Sequence, residues 1–205
     1  MRLLSSLLYV GMNVVGAMKF AGYSSVSQTV SELSAIGAPT RTLWVVLAFL
    51  YTLLVLAFGY GVWRSAGQNR RLRTVGGLLI AYGALGALWP FAPMHLRGAQ
   101  FTLTDAIHIG LGAVTVLLML LAIGTGAAAM GKHFRVWSIV TLLILVVFGV
   151  LTGFDAPSIA GNLPTPWVGL WERINIGSFL LWVVVLAISL LRSTRDRLPC
   201  VRISS

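Results

Sequence analysis

The fold class is decided by residues 106–130, AIHIGLGAVTVLLMLLAIGTGAAAM, a stretch without a single Asp, Glu, Lys or Arg. It contains 25 residues, and about 20 apolar residues in an α-helix are enough to span ~30 Å of hydrocarbon. The stretch therefore predicts a membrane-spanning helix.

Five further apolar stretches lie on both sides of this one. The composition agrees, because 58% of the residues are hydrophobic and only 10% are charged, against roughly 25% charged in a soluble domain. We predict a single all-α membrane domain over residues 1–205 and exclude a soluble protein. The six predicted spans are residues 3–20, 43–63, 75–91, 106–130, 136–154 and 174–191.

The basic residues behind the net charge of +10 are distributed according to the predicted loops. Nucleic-acid binding would need them grouped on a soluble surface, so the charge does not indicate it. With the N-terminus inside, the inner segments hold eleven basic residues and one acid, a net charge of +10. The outer segments hold four of each: Lys19, Arg41, Arg97 and Arg173 against Glu32, Asp105, Asp155 and Glu172. The positive-inside rule therefore predicts both termini in the cytoplasm and a multi-pass protein of the plasma membrane.

The two ends of the chain carry two smaller expectations. Met1-Arg2 and the leucines after it also fit the start of a secretion signal, but Lys19 and Phe20 stand where a small-residue cleavage site is expected. We therefore expect the first span to be retained. Cys200 is the one cysteine, which excludes an internal disulfide, and we interpret it as an incidental cytoplasmic thiol.

The outer loops are expected to differ from each other. Residues 21–42 predict a short amphipathic helix at the membrane interface, with Ser24 as its N-cap and Gly37-Ala38-Pro39 as its end. Its apolar residues recur at near-helical spacing: Val26, Val30, Leu33 and Ile36. The last outer loop, residues 155–171, contains three prolines and is predicted to be non-helical.

Short motifs along the chain are similar to those of a known family. They are YSSVSQTVSEL at 23–33, GAP at 37–39, PMH at 93–95, TDAIH at 104–108 and GLWERI at 169–174. In these motifs the chain resembles the prokaryotic membrane proteins grouped as domain of unknown function family 998. The resemblance covers nearly the whole chain and implies a polytopic membrane protein. It transfers no catalytic residue and identifies no cofactor.

The ionisable residues of the outer segments are the candidates for function, because charge near membrane depth is costly unless it is paired or hydrated. Together with Arg97, they are predicted to converge on one outward-facing site that binds or transports a small ligand or lipid. The ligand-binding candidates are Glu32, His95, Asp105, His108, Asp155, Glu172 and Arg173. Membrane lipid is the one partner that the sequence implies.

An enzyme is the alternative, and it depends on Asp105 and His108, which lie three residues apart on one helix face. With His95 as a third ligand, and Asp155 or Glu172 as a fourth, they suit a metal ion. As an acid–base couple they suit a membrane-embedded hydrolase, with a serine as nucleophile. The candidate serines are Ser24, Ser25, Ser27 and Ser31.

Each candidate also has a structural explanation. Asp105 follows Thr104 at a predicted helix N-terminus, where an acid is stabilised by the helix dipole. His108 is suited to an interhelical hydrogen bond. Because their predicted depths agree, we expect Glu32, Asp105, His108 and Arg173 to meet in one polar cluster, in which two acids balance the arginine and the imidazole.

Overall fold

The structure of the protein is a computed structural model that describes residues 4–195 of the 205-residue chain. The described part is built from helices, which confirms the predicted all-α class. Two short 3-10 helices, Val30–Ser34 and Trp89–Phe91, lie in the loops. The α-helices are α1 (Leu4–Lys19), α2 (Arg41–Ser65), α3 (Arg70–Gly86), α4 (Leu103–Ala129), α5 (Lys132–Phe154), α6 (Ala156–Ala160) and α7 (Val168–Arg195). Cys200 and the basic tail around it lie outside the described residues.

Five helical segments among the described residues are long and apolar enough to cross a membrane. They are Arg41–Ser65, Arg70–Phe91, Leu103–Ala129, Lys132–Ala160 and Val168–Arg192. Helix α1 has 16 residues, which at 1.5 Å per residue give about 24 Å. It is therefore shorter than the five membrane-length segments, which have 22 to 29 residues.

Five of the six long helices begin earlier than the predicted spans, by two residues in α2 and by five in α3. Helix α7 starts at Val168 and not at residue 174, so Glu172 and Arg173 lie inside its second turn. Helices α4 and α5 likewise begin at Leu103 and Lys132, three and four residues ahead of the predicted starts. Hydropathy places a boundary where ionisable residues occur, but Asp105, Glu172 and Arg173 lie inside the helices, where the loops and the backbone supply their partners.

The long helices pack in the order in which they occur along the chain. Each contacts its neighbour in the sequence, α5 contacts α7, and α7 returns to contact α1. The turns at residues 66–69 and 130–131 lie at one end of the helices, here called the basic end. The loops of residues 20–40, 87–102 and 155–167 lie at the other, here called the capped end.

The basic half of the helices is tightly packed around Trp182 on α7. This side chain is fully buried and donates a hydrogen bond of 2.9 Å from Nε1 to Ser138 Oγ. Gly126 on α4 makes room for the indole, since a Cβ there would lie 2.6 Å from the ring. The same principle brings α2 and α3 together, where a Cβ on Gly76 would lie 2.5 Å from the backbone of Trp63.

The prediction of an interfacial helix in the first loop is wrong. Only the 3-10 helix Val30–Ser34 forms, and its apolar residues Val30 and Leu33 are buried against the other helices. A longer helix would need the carbonyls of residues 25–29 for its own hydrogen bonds, but these accept from tertiary donors. The donors are Arg97, Thr165, Arg173, Tyr23 and the backbone of Leu170.

The last loop is also more regular than predicted. It contains α6, with Pro157 in the first turn, where the missing N–H of proline breaks no helical hydrogen bond. Pro164 and Pro166 lie in the connection to α7. The expected non-helical segment is therefore limited to residues 161–167.

Candidate functional site

The capped end is held together by an ion pair between Glu32 of the first loop and Arg97 of the second. Arg97 Nε lies 2.6 Å from Glu32 Oε1, and one of its terminal nitrogens lies 2.9 Å from Oε2. The carboxylate is fully buried and the guanidinium nearly so, with exposed side-chain fractions of 0% and 16%. This two-point geometry is the strongest form of a charge-assisted hydrogen bond between side chains.

Arg97 also bridges to the third loop. It donates 2.7 Å to Thr165 Oγ1 and 2.9 Å to the Ser27 carbonyl, which in turn accepts 3.0 Å from Thr165. One guanidinium thus joins all three loops of the capped end. Burial opposes ionisation of Glu32, but the hydrogen bonds from Arg97 and the Thr29 backbone outweigh it, so the Glu32 pKa is lowered. The same hydrogen bond raises the Arg97 pKa.

Arg173 is satisfied by carbonyls and one phenol. It donates to the carbonyls of Ser25, Gln28 and Gly169 at 2.8–3.0 Å, and to the Tyr23 hydroxyl at 2.6 Å. The Tyr23 pKa is raised to about 12, chiefly by burial. A Cβ on Gly169 would collide with the carbonyl oxygens of Ser25 and Gln28, so this glycine lets the first loop lie on α7.

Asp105 forms a second, separate cluster with His95 and Thr102. Its carboxylate accepts from the His95 backbone at 2.7 Å, from both the backbone and hydroxyl of Thr102 at 2.8 Å, and lies 2.9 Å from His95 Nδ1. Thr102 and Asp105 form a capping box at the start of α4. Both carboxylate oxygens are therefore engaged in holding the second loop on the helix.

His108 lies one turn further along α4 and has different partners. Its Nδ1 is 2.8 Å from the Ala92 carbonyl, so Nδ1 carries the proton in that hydrogen bond. Its Nε2 is buried and has no hydrogen-bond partner among residues 4–195. The ring of Trp89 meets the imidazole edge-on, with 4.7 Å between ring centres.

The prediction of a single cluster is therefore wrong, because its members are hydrogen-bonded to other partners. They are Glu32, Asp105, His108 and Arg173. Glu32 is bound to Arg97, Asp105 to His95, and Arg173 to backbone carbonyls. The four residues do share the capped end, as their predicted depth required. Depth follows from hydropathy, but the choice of partner at one depth depends on how the loops fold.

A cavity of about 670 Å³ lies between the long helices, beneath the capped end. Residues of α1 to α7 and of both 3-10 helices line it, and most of the lining is apolar. Volumes of ~300–1,000 Å³ are typical of small-molecule sites. The polar side chains on its wall include Tyr51, Tyr82, His108, Glu172 and Asn175.

Glu172 and Asn175 lie three residues apart on one face of α7. In each side chain, one of the two polar atoms is hydrogen-bonded within the protein. Glu172 Oε2 accepts from the Val30 backbone, and the Asn175 amide donates 2.8 Å to the Leu145 carbonyl. Among the described residues, no side chain or backbone group donates to Glu172 Oε1 or Asn175 Oδ1. Two oxygen acceptors thus stand on the cavity wall.

A smaller cavity of about 150 Å³ lies next to the first one, under the second loop. His95, Arg97 and Asp105 border it. Ser31, His108 and Ile109 line both cavities, so the smaller one extends the larger toward the capped end.

Residues 3–189 match the family model described as Protein of unknown function (DUF998). This chain belongs to the DUF998 family. The resemblance found in the short motifs is thereby confirmed over nearly the whole sequence. No curated protein and no solved structure gives a significant match.

The enzyme candidates of this DUF998 chain do not form a common centre. Within residues 4–195, no group of three or more His, Cys, Asp or Glu side chains is placed to hold a metal ion. His95 and Asp105 are together, but His108 faces the Ala92 carbonyl. Ser31 lines the cavities, and the described hydrogen bonds do not link its hydroxyl to His108.

Asp155 stands between α5 and α6, close enough to raise the Arg97 pKa slightly, and its Oδ2 is buried without a hydrogen-bond partner among the described residues.

Tyr51, Tyr82 and Asn175 were not among the sequence candidates of this DUF998 protein. Each lies inside a predicted span, where a polar residue in an apolar stretch was the available signal.

Proposed function

We propose that this chain is a multi-pass plasma-membrane protein whose central cavity binds a small amphipathic ligand. The observation that carries this proposal is the cavity of about 670 Å³, an apolar space with a few hydrogen-bonding groups on its wall. Such a combination is the usual form of a small-molecule site. The packed core around Trp182 closes the basic end, so the arrangement supports binding rather than passage.

We further propose six spans, with both termini in the cytoplasm and the capped end outside. Helix α1 supplies the sixth span, since it packs on α2 and α7 alongside the five longer helices. The charge difference between the two ends supports the orientation. Membrane lipid then surrounds the exposed apolar faces of the helices.

Cysteine labelling of intact cells tests this orientation. In a Cys200→Ser background, a Leu163→Cys variant places a thiol at the capped end and a Gln68→Cys variant places one at the basic end. A membrane-impermeant maleimide should label the first and leave the second unlabelled. The reverse pattern would contradict the orientation.

Ligand binding is tested by filling the cavity. The probe is a monoacylglycerol with a photoactivatable diazirine in its acyl chain, added to the detergent-solubilised protein. We expect saturable labelling of cavity-lining peptides and its loss in Ala113→Phe, because Ala113 lines the cavity. Val114→Phe is the matched control, since Val114 is the next residue on α4 and faces outward. Equal labelling of both variants would overturn the proposal.

A further inference from the structure

The cavity reaches the lipid-facing surface along one side of α4. Ile109, Ala113 and Leu117 line the cavity and are spaced four residues apart, so they form one stripe on the helix. Ile109 and Leu117 are each 53% exposed, so the wall that they form is open to the outside. His108 and Met119, on the inward face of the same helix, are buried.

The opposite side of this opening is formed by the capped half of α5. Gly149, Thr152 and Gly153 line the cavity there. A Cβ on Gly153 would have no atom within 4 Å, so the space in front of it is empty. In the basic half, by contrast, Leu145 of α5 belongs to the same core cluster as Ile123 of α4. The cavity thus lies along the capped halves of α4 and α5, whereas their basic halves contribute to the packed core.

We propose that the ligand is a lipid-like amphiphile with hydrogen-bond donors on its head group, and that it enters from the bilayer between α4 and α5. This inference rests on the proposed ligand-binding function and adds the ligand class and the route. An apolar chain fits the apolar wall, and a lateral opening at membrane depth faces acyl chains rather than water.

The chemistry of the head group follows from the hydrogen-bond donors that the cavity wall lacks. Glu172 Oε1 and Asn175 Oδ1 are acceptors without a donor, and His108 Nε2 is a third, since Nδ1 donates to the Ala92 carbonyl. Of these, His108 Nε2 is buried, and a buried acceptor is costly until a donor reaches it. Hydroxyl groups on the head group supply the missing donors.

The head group is tested in phosphatidylcholine vesicles containing the reconstituted full chain. The photoactivatable monoacylglycerol supplies two hydroxyl donors, and the methyl ester of the same diazirine fatty acid supplies none. We expect half-maximal labelling of cavity peptides to need about tenfold more methyl ester, the effect of losing one or two hydrogen bonds. Equal labelling by both lipids would overturn the proposed head-group recognition.

The route is tested by narrowing the opening in the same vesicles. Gly153→Leu places a side chain in the empty space beside the opening, and we expect monoacylglycerol labelling to slow severalfold. Gly110→Leu is the matched control, because Gly110 is an exposed glycine of α4 with no atom within 4 Å of a Cβ. Both variants must first elute as monodisperse protein in detergent.

The outcomes separate the two proposals. If Gly153→Leu is labelled as fast as Gly110→Leu, the lateral route is wrong while the cavity still binds. If neither lipid labels cavity peptides saturably in the unsubstituted protein, the proposed function itself fails. Slow labelling of Gly153→Leu together with a preference for the monoacylglycerol supports both.

Discussion

At the scale of single residues, the capped end depends on one charged side chain that forms hydrogen bonds with several groups. Arg97 satisfies Glu32, Thr165 and the Ser27 carbonyl with one guanidinium. Planar guanidinium groups suit this use because their donors diverge in fixed directions. The consequence is that a single substitution in the second loop removes its contacts with both the first and the third loop.

Replacing Arg97 with methionine keeps most of the side-chain volume and removes the charge. Because Glu32 is fully buried, we expect the unpaired carboxylate to cost about 3–5 kcal/mol of folding free energy. Thermal unfolding of the purified protein in detergent measures this loss. Arg64→Met, at an exposed position near the basic end, is the control and should change little.

A double variant separates the charge from the packing at this site. If the buried charge causes the loss, Glu32→Gln combined with Arg97→Met should recover much of the stability of the single Arg97 variant. An Arg97→Met protein as stable as the Arg64→Met control would show that the ion pair contributes nothing.

The Glu32 pKa predicts how stability depends on pH. Its folded value lies below the ordinary value of about 4.5, so the ionised form is favoured by folding. The stabilisation is fully present above about pH 4.5 and is lost as pH falls through the lower folded value. Melting temperatures measured between pH 7 and 3 should therefore fall more steeply for the unsubstituted protein than for Glu32→Gln. Parallel curves would contradict this assignment.

At the scale of elements, hydropathy located the long helices but not the structure between them. An apolar stretch of about 20 residues has few alternatives to a helix in a bilayer, because its backbone must satisfy its own hydrogen bonds. Residues 25–29 have alternatives, since Arg97, Arg173 and Tyr23 bond to carbonyls in this segment. Arg97 and Arg173 come from distant positions in the sequence, so the local periodicity of the loop gave no sign of them.

The contact between the first loop and α7 predicts a strong effect of a small substitution. Gly169→Ala adds one methyl group against the carbonyls of Ser25 and Gln28, and we expect a loss of about 1–3 kcal/mol. Gly177→Ala, on the same helix with no atom within 4 Å of the new Cβ, should be neutral or slightly stabilising. Thermal unfolding of the two variants side by side measures the difference, and equal midpoints would argue against the close approach.

At the scale of the whole molecule, the helices divide into a packed basic half and a hollow capped half. Within the membrane, helix association depends on close packing, because lipid is as apolar as the side chains. The core cluster around Trp182 is therefore expected to supply much of the stability. The cavity half gives up such contacts, and the loops joined by Arg97 compensate by closing its end.

This division predicts opposite effects for one chemical change at two sites. Val183 is buried in the core cluster, so Val183→Ala should lower the unfolding free energy by about 1–2 kcal/mol through lost packing. Val116 already faces empty space in the cavity, so Val116→Ala removes fewer contacts and should cost less than about 0.5 kcal/mol. Monoacylglycerol labelling should respond in the reverse order, weakening in Val116→Ala and staying unchanged in Val183→Ala. Both readings come from the same purified variants, and a Val116 variant that loses stability without losing labelling would show that the cavity wall serves the fold alone.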